Sequence, residues 1–435
     1  MKNGLWKLGI AVGTLLTLAA CGNGGSAGTG DSTAGGGNAK DALTVWAWDP
    51  KFNIAAFEMA EADYQKDNPD FKLNIVENAQ KDMVQKLNTN LSSGTKTGLP
   101  NIVMIEDYRA KSFLEAFPDS FFPVTDFIDP SEFMDYKIAA TSVDGVQYGT
   151  PFDSGVTGLF LRKSVIGDAG LAPEDFTDIT WTEFIELGKQ VKDKTDKPLL
   201  SSDMNDLGLL RTMMHSSGSW YSKEDGSTPN FAGNESLKIA LQDFKEMMDS
   251  GVMITHNAWD QLVANFNSGR VAGVAQGNWI IPSIKAEESQ AGDWVVVPYP
   301  RQEGIVGATN ASNLGGSSIY ILNIDGKEEA AEFIAETFGK DVDFYEDLAT
   351  EIGAIGSYEP AAETETYQQE DAFFDNQKIY HDFIEWAKEV PAVNFGKNTY
   401  AFEDVVKTTL QDYMNGKDLD KALEEAQKTA ETQVK

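Results

Sequence analysis

Residues 43–48, Leu-Thr-Val-Trp-Ala-Trp, alternate in polarity and are rich in strand formers, so they read as a first β-strand. Residues 57–66 then carry apolar positions at helical spacing, stopped by Asn68-Pro69. The pattern predicts a second strand over 71–76, a helix over 82–91 and a buried strand over 102–105, just after Pro100. Strand, helix, strand, helix, strand implies a parallel sheet with crossover helices. Ligands of such sheets sit beyond the carboxyl ends of the strands. Trp46, Trp48 and Asp49 fall at one of those ends, and Glu106, Asp107 and Tyr108 at another.

The second half continues in the same style. A strand is predicted over 158–161, and Thr180-Trp-Thr-Glu183 is a capping-box start to a helix running through Val191. An amphipathic helix lies within 231–250 and is closed by Gly251. Strands follow over 271–275, 294–297 and 315–322, then helices over 328–338 and 419–429. No internal repeat is visible.

The amino-terminal residues change the picture. A head bearing Lys2 and Lys7 precedes an apolar run over 8–20 and the small residues before Cys21, the pattern of a secretory signal. The run is too short to span a bilayer, which takes roughly 20 residues as a helix. Residues 18–22, Leu-Ala-Ala-Cys-Gly, resemble a bacterial lipobox, which implies cleavage before Cys21 and a diacylglycerol on its sulfur. The mature chain is then expected on the outer face of the cytoplasmic membrane. Residues 22–40 are almost entirely Gly, Ser, Thr, Ala, Asn and Asp and hold nothing able to build a core, so they read as a flexible tether.

The rest, about 400 residues, exceeds the usual single core and predicts two lobes. A formal charge of −33 argues against binding nucleic acid or an anionic membrane; its ordinary reading is solubility. With Cys21 the sole cysteine, no intramolecular disulfide can form. His215, His256 and His381 are the only histidines and show no paired spacing, so no metal or other cofactor is expected.

Several stretches together resemble the extracellular solute-binding lipoproteins of carbohydrate ABC importers, the group that includes the maltodextrin-binding protein. They are residues 44–48 (Thr-Val-Trp-Ala-Trp), 99–103 (Leu-Pro-Asn-Ile-Val), 148–153 (Tyr-Gly-Thr-Pro-Phe-Asp) and 180–184 (Thr-Trp-Thr-Glu-Phe). They continue through 265–279, which ends in Gly-Asn-Trp279, then 293–300 and 314–318, all in the family's order. The resemblance covers essentially the whole chain after the tether. It implies a two-lobed α/β fold of the periplasmic-binding-protein type, with an interlobe cleft that closes on sugar by hinge motion. Chain crossings are expected near 151–154, 310–315 and 352–360. One lobe would comprise 41–152 and 315–355, the other 153–314 and 356–435. The family's Gly-x-Trp is usually followed by a further aromatic; here Ile280 and Ile281 follow Trp279.

A sugar presents apolar C–H faces to aromatic planes and a rim of hydroxyls to carboxylates and amides. The candidate ligand contacts are therefore Trp48, Asp49, Asn53, Glu106, Asp107, Tyr108, Asp153, Ser154, Trp220, Asn278, Trp279 and Tyr358. Gly315 and Gly316 join them, as places where backbone amides can approach a hydroxyl. Alternation turns one of Trp46 and Trp48 into the core. Trp259 and Trp386 read as helix-face packing residues. Lys51 and Arg109 are the only cations beside these motifs, which favours a neutral oligosaccharide over an acidic sugar. The expected role is a monomeric, non-enzymatic binder that delivers sugar to a membrane permease powered by a separate ATPase. The competing readings are a secreted glycoside hydrolase, which also pairs carboxylates with aromatics, a polyamine or peptide binder on the same fold, and a surface adhesin.

Overall fold

The structure is a computed structural model and describes residues 42–433. The signal segment, Cys21 and the tether lie outside the described residues. The strands, in chain order, are β1 Leu43–Ala47, β2 Leu73–Glu77, β3 Ile102–Glu106, β4 Ser142–Val143, β5 Val146–Gln147, β6 Gly149–Pro151, β7 Thr157–Arg162, β8 Leu200–Asp203, β9 Met253–His256, β10 Gly273–Gly277, β11 Trp294–Val297 and β12 Ser317–Ile321.

A first, five-stranded sheet has the order β2-β1-β3-β12-β6, and a second, three-stranded sheet the order β10-β7-β11. The first three strands are parallel, as strand-helix alternation requires. β12 and β6 are not, and the register gives the reason. Ser317, the first residue of β12, pairs with Glu106, the last of β3. The chain thus returns to this sheet at the carboxyl end of β3 and has to run backwards along it. Pro151 at the end of β6 pairs with Ser318, so the chain also leaves from that edge.

The second sheet is antiparallel, whereas β8 and β9, separated in the chain by two helices, pair in parallel as strand-helix alternation predicts. β7 begins at Thr157 immediately after the crossing, opposite Gly277 at the end of β10, and Val297 at the end of β11 pairs with Leu159. More than a hundred residues separate β7 from β10, so no single crossover helix fixes their relative direction. The outcome matters for the site: the ends of β3, β10 and β11 converge where the chain passes between the sheets.

The crossing segments are stitched together by backbone hydrogen bonds, Ser154 N to Ile355 O, Ser357 N to Phe152 O and Leu314 N to Gly155 O. Elsewhere the elements follow local signals. The helix Trp181–Thr195 starts in a reciprocal capping box between Thr180 and Glu183 and stops at Asp196 in a left-handed conformation. The helices Thr399–Met414 and Leu419–Gln433 bury Phe402, Val405, Leu410, Leu419 and Leu423 in the same core as Leu159 and Leu161 of β7. The core around β1, by contrast, includes Val45, Phe57, Met104 and Ile319.

Candidate ligand-binding cleft

Where the strand ends converge the surface opens into two adjoining cavities of about 890 and 240 Å³. Both are lined by Glu106, Trp259, Trp279 and Gly315, so they are one cleft with a waist. Its size is that of a small-molecule site, roughly 300–1,000 Å³.

The larger compartment is walled by the loop after β1. Trp46 is buried in the core, whereas Trp48 is half-buried and lines the cleft, as the alternation requires. Asp49 turns the chain in the left-handed region (φ 57°), accepts from Lys51 N and caps the helix Asn53–Tyr64 through its carbonyl. Asn53 is 3% exposed and its Oδ1 has no partner.

Trp279 forms the waist. It lies just past β10, folded back over Gly277, where a Cβ would overlap the indole nitrogen. That is the steric reason for the glycine in Gly-Asn-Trp279. The indole Nε1 donates to Leu314 O (2.8 Å), fixing the plane. Trp259 stands 5.7 Å from it, centroid to centroid, and is 51% exposed. Here the structure differs from the helix-face packing that the sequence pattern predicts for Trp259. Trp259 is the first residue of the helix Trp259–Asn267, and a first-turn position projects beyond the packed face. Trp386 does pack, edge-on to Phe383.

The smaller compartment was not foreseen at all. It is lined by Ser201, Asp203, Asp206, Arg211, His256 and Gln276, at the ends of β8, β9 and β10 and the start of the helix Gly208–His215. Four of these carry buried atoms without a partner: Ser201 Oγ, His256 Nδ1, Gln276 Oε1 and Arg211 Nε. Burial holds the His256 imidazole below its ordinary pKa, so it is neutral. The legible signal was the run of polar residues Ser201-Ser202-Asp203 directly after Leu199-Leu200.

The candidates around Glu106 divide. Glu106 reaches the cleft, with Oε2 accepting from Tyr400 Oη (2.5 Å) and 3.2 Å from Arg109 Nε. Burial pushes its carboxyl above the usual carboxylate range, while Tyr400, Arg109 and Arg211 pull it back. Asp107, 1% exposed, faces inward, accepting from Lys137 Nζ (2.6 Å) and Ser318 Oγ (2.7 Å). Asp153 accepts from Ser317 N (2.7 Å) and Oγ (2.6 Å) on the cleft floor, and burial raises its pKa while Lys137 lowers it. Gly316 (φ 80°) lies over this cluster, where a Cβ would come within 3.0 Å of Asp107 Oδ2.

Other candidates are held in packing. Tyr108 is buried and donates to Asn313 O (2.8 Å). Asn278 is buried and donates to Ser154 Oγ (2.6 Å), tying the Trp279 turn to the crossing. Trp220 is a correction: it is 2% exposed, donates to Thr399 Oγ1 and is enclosed by Tyr108, Tyr221 and Phe395. Tyr358 is another, stacked on Tyr345 and donating to Glu132 away from the cleft. Both aromatics sit in loops, but loop position does not settle which way a large apolar ring turns. Among the described residues no group of three or more His, Cys, Asp or Glu side chains could hold a metal ion.

A cleft at a chain crossing between two α/β lobes, lined by aromatics and unfilled polar atoms, defines a small-molecule binding protein. Residues 60–375 match the bacterial extracellular solute-binding protein family, and the chain belongs to it. It is 42% identical over 393 residues to a lactose-binding protein of Rhizobium radiobacter, covering 90% of this chain and 93% of the relative. An arabinooligosaccharide-binding protein of Bacillus subtilis is 25% identical over 326 residues, 72% of this chain and 73% of the relative. Among solved structures, the sugar-binding protein MalE of Xanthomonas citri superposes with a TM-score of 0.75 at 18% identity, covering 90% of this chain and 97% of the other. The galacto-N-biose/lacto-N-biose I-binding protein of Bifidobacterium longum does so at 0.71 and 19%, covering 90% and 96%. At these identities the structures establish the two-lobed fold alone.

Proposed function

We propose that this protein is the sugar-capturing subunit of an ABC importer and that its ligand is a neutral oligosaccharide of lactose size or somewhat larger. The observation that carries the reading is the waist of the cleft. An aromatic pair, Trp259 and Trp279, stands beside unpartnered buried polar atoms on either side, an apolar face with a rim of unsatisfied donors and acceptors. The relative at 42% identity, a lactose-binding protein, supports the same reading.

Charge supports neutrality. Glu106 is matched by Arg109, and Asp206 and Glu403 by Arg211, so no arginine is left free to clamp an acidic sugar. A hydrolase is set aside because the chain belongs to a family of binding proteins.

On this reading residues 41–152 with 315–355 and 153–314 with 356–435 move as two lobes, and ligand touching both favours the closed form. Cys21 carries the lipid that holds the monomer outside the cytoplasmic membrane, beside its permease. Calorimetric titration with lactose, longer galactosides, maltose, spermidine and a dipeptide mixture tests the ligand class. Saturable heat with a neutral sugar is expected. Heat with spermidine or dipeptide and none with sugars overturns it. Cys21→Ser should release the protein into the medium.

A further inference from the structure

Glu106, Asp107, Tyr108 and Arg109 are consecutive, yet they engage different parts of the molecule. Glu106 closes β3 of the first sheet and lines both compartments of the cleft. Its partner Tyr400 is 294 residues away, on the helix Thr399–Met414, whose Phe402, Val405 and Leu410 belong to the core of the second sheet. The Arg109 guanidinium lies 3.7 Å above the centre of the Tyr400 ring while its Nε faces the Glu106 carboxylate. Tyr108 is gripped from the same side, 4.8 Å from Phe395 and 5.3 Å from Trp220, centroid to centroid. The start of the helix Asp107–Ala116, directly after β3, is thus held by the opposite lobe.

The hydrogen bond from Tyr400 occupies Glu106 Oε2 and leaves Oε1 unengaged by the described residues. A carboxylate fixed by a tyrosine donor and facing a guanidinium is a well-oriented acceptor, and charge-assisted bonds are about twice as strong as neutral ones. Left unclasped, it would have to be oriented when the ligand arrives, at a cost in rotamer entropy.

We propose that Tyr400 is a positioning residue for ligand recognition. Reaching from one lobe to the other, it fixes Glu106 so that Oε1 accepts from a ligand hydroxyl, and it makes that geometry depend on the approach of the lobes. The proposal rests on the cleft being the sugar site. It assigns a role in binding to a carboxy-terminal helix that lines neither compartment.

The test is a double-mutant cycle on the full-length protein with lactose as probe. Tyr400→Phe keeps the ring over Arg109 and removes only the hydroxyl. It should weaken binding about tenfold, the size of one charge-assisted hydrogen bond, chiefly through faster dissociation. Adding Tyr400→Phe to Glu106→Ala should cost nothing more, because the group it positions is gone. Wild-type affinity in Tyr400→Phe, or losses that simply add, overturns the proposal. A merely structural tyrosine would lower the melting temperature with no such coupling.

Hydrogen exchange on the ligand-free protein reads the clasp without a sugar. Amides of residues 106–110 should exchange faster in Tyr400→Phe, and unchanged exchange there overturns the clasp. Failure of wild-type protein to bind lactose while the exchange effect is present would instead count against the choice of ligand.

Discussion

Four carboxylates stand near the crossing, and two of them have the opposite character of the other two. Asp107 and Asp153 are nearly fully buried, and their oxygens accept from Lys137, Ser317 and Ser318. Glu106 and Asp49 open on the cleft, each with acceptor capacity left over. Glu106 and Asp107 are neighbours in sequence, so neither residue type nor strand end separates a carboxylate held in packing from one that lines the cleft. What separates them is how many donors the protein itself supplies. Where buried donors from distant segments grip the carboxylate, it holds those segments together; where it opens on the cleft with few donors of the protein's own, it has acceptor capacity for a ligand.

The comparison breaks most visibly at Lys137. Its ammonium donates to Asp107 and to Ser317 O (2.9 Å) and is fully buried. Lys137→Met should destabilise the protein by about 3–5 kcal/mol, the usual consequence of stranding a buried charge, read as a lowered melting temperature without ligand. The deficit should also depend on pH. Burial raises the Asp153 pKa above its unfolded value while Lys137 lowers it, so at pH values between the two the native state holds a proton the unfolded chain has lost. Such a group favours the fold at low pH, and that contribution is lost as pH rises through its native pKa. Removing Lys137 raises that pKa further, so the deficit against wild type should grow as pH rises through the native pKa of wild type. A deficit that shrank over that range would mean that the lysine is not what keeps these carboxylates tolerable.

The aromatic waist comes next in size. Trp279→Ala should reduce lactose affinity by about 2–4 kcal/mol, as for a central aromatic anchor. Melting should change far less, since the ring is only partly buried. Gly277→Ala reaches the same ring indirectly. The added methyl collides with the indole nitrogen, displacing it from Leu314 O. It should weaken lactose binding by roughly 1–2 kcal/mol and alter tryptophan emission, although residue 277 touches no ligand on this reading. Unchanged emission and affinity would show that the plane is held by something other than that glycine.

Much of the first lobe was legible because local signals there are strong. Period-two and period-3.6 patterns, Pro100 before β3 and the strand-end rule together put Trp48, Asp49 and Glu106 at strand ends, where the structure has them lining the larger cavity. The antiparallel return of β12 was not legible, since it follows from where the chain re-enters the sheet and not from any property of residues 317–321. Trp220 and Trp259 show the same limit from two sides. Each is a tryptophan beside a loop, yet the first is closed in by residues from distant segments and the second stands clear. Only tertiary packing distinguishes them. The smaller compartment escaped because Ser201, His256 and Gln276 come from three strands that no spacing in the chain brings together.

Gln276 and Asn278 bring the comparison down to single amides two residues apart. Asn278 Nδ2 is satisfied by Ser154, whereas Gln276 Oε1 is buried and unpartnered. If spare hydrogen-bonding capacity marks the binding surface, truncating the two should have effects of opposite kind. Asn278→Ala loses a buried bond that holds the Trp279 turn to the crossing and should lower stability by about 1 kcal/mol. Gln276→Ala removes an acceptor that no protein group meets, so the ligand-free form should melt at the same temperature or slightly higher. Its lactose affinity should fall by about 1 kcal/mol, because the acceptor finds its donor only on the ligand. Thermal melts with and without saturating lactose read both quantities from one sample. A Gln276→Ala protein that is less stable without ligand and unchanged in affinity would place that amide with the hinge, and the distinction drawn from unmet acceptors would fail at the residue where it is sharpest.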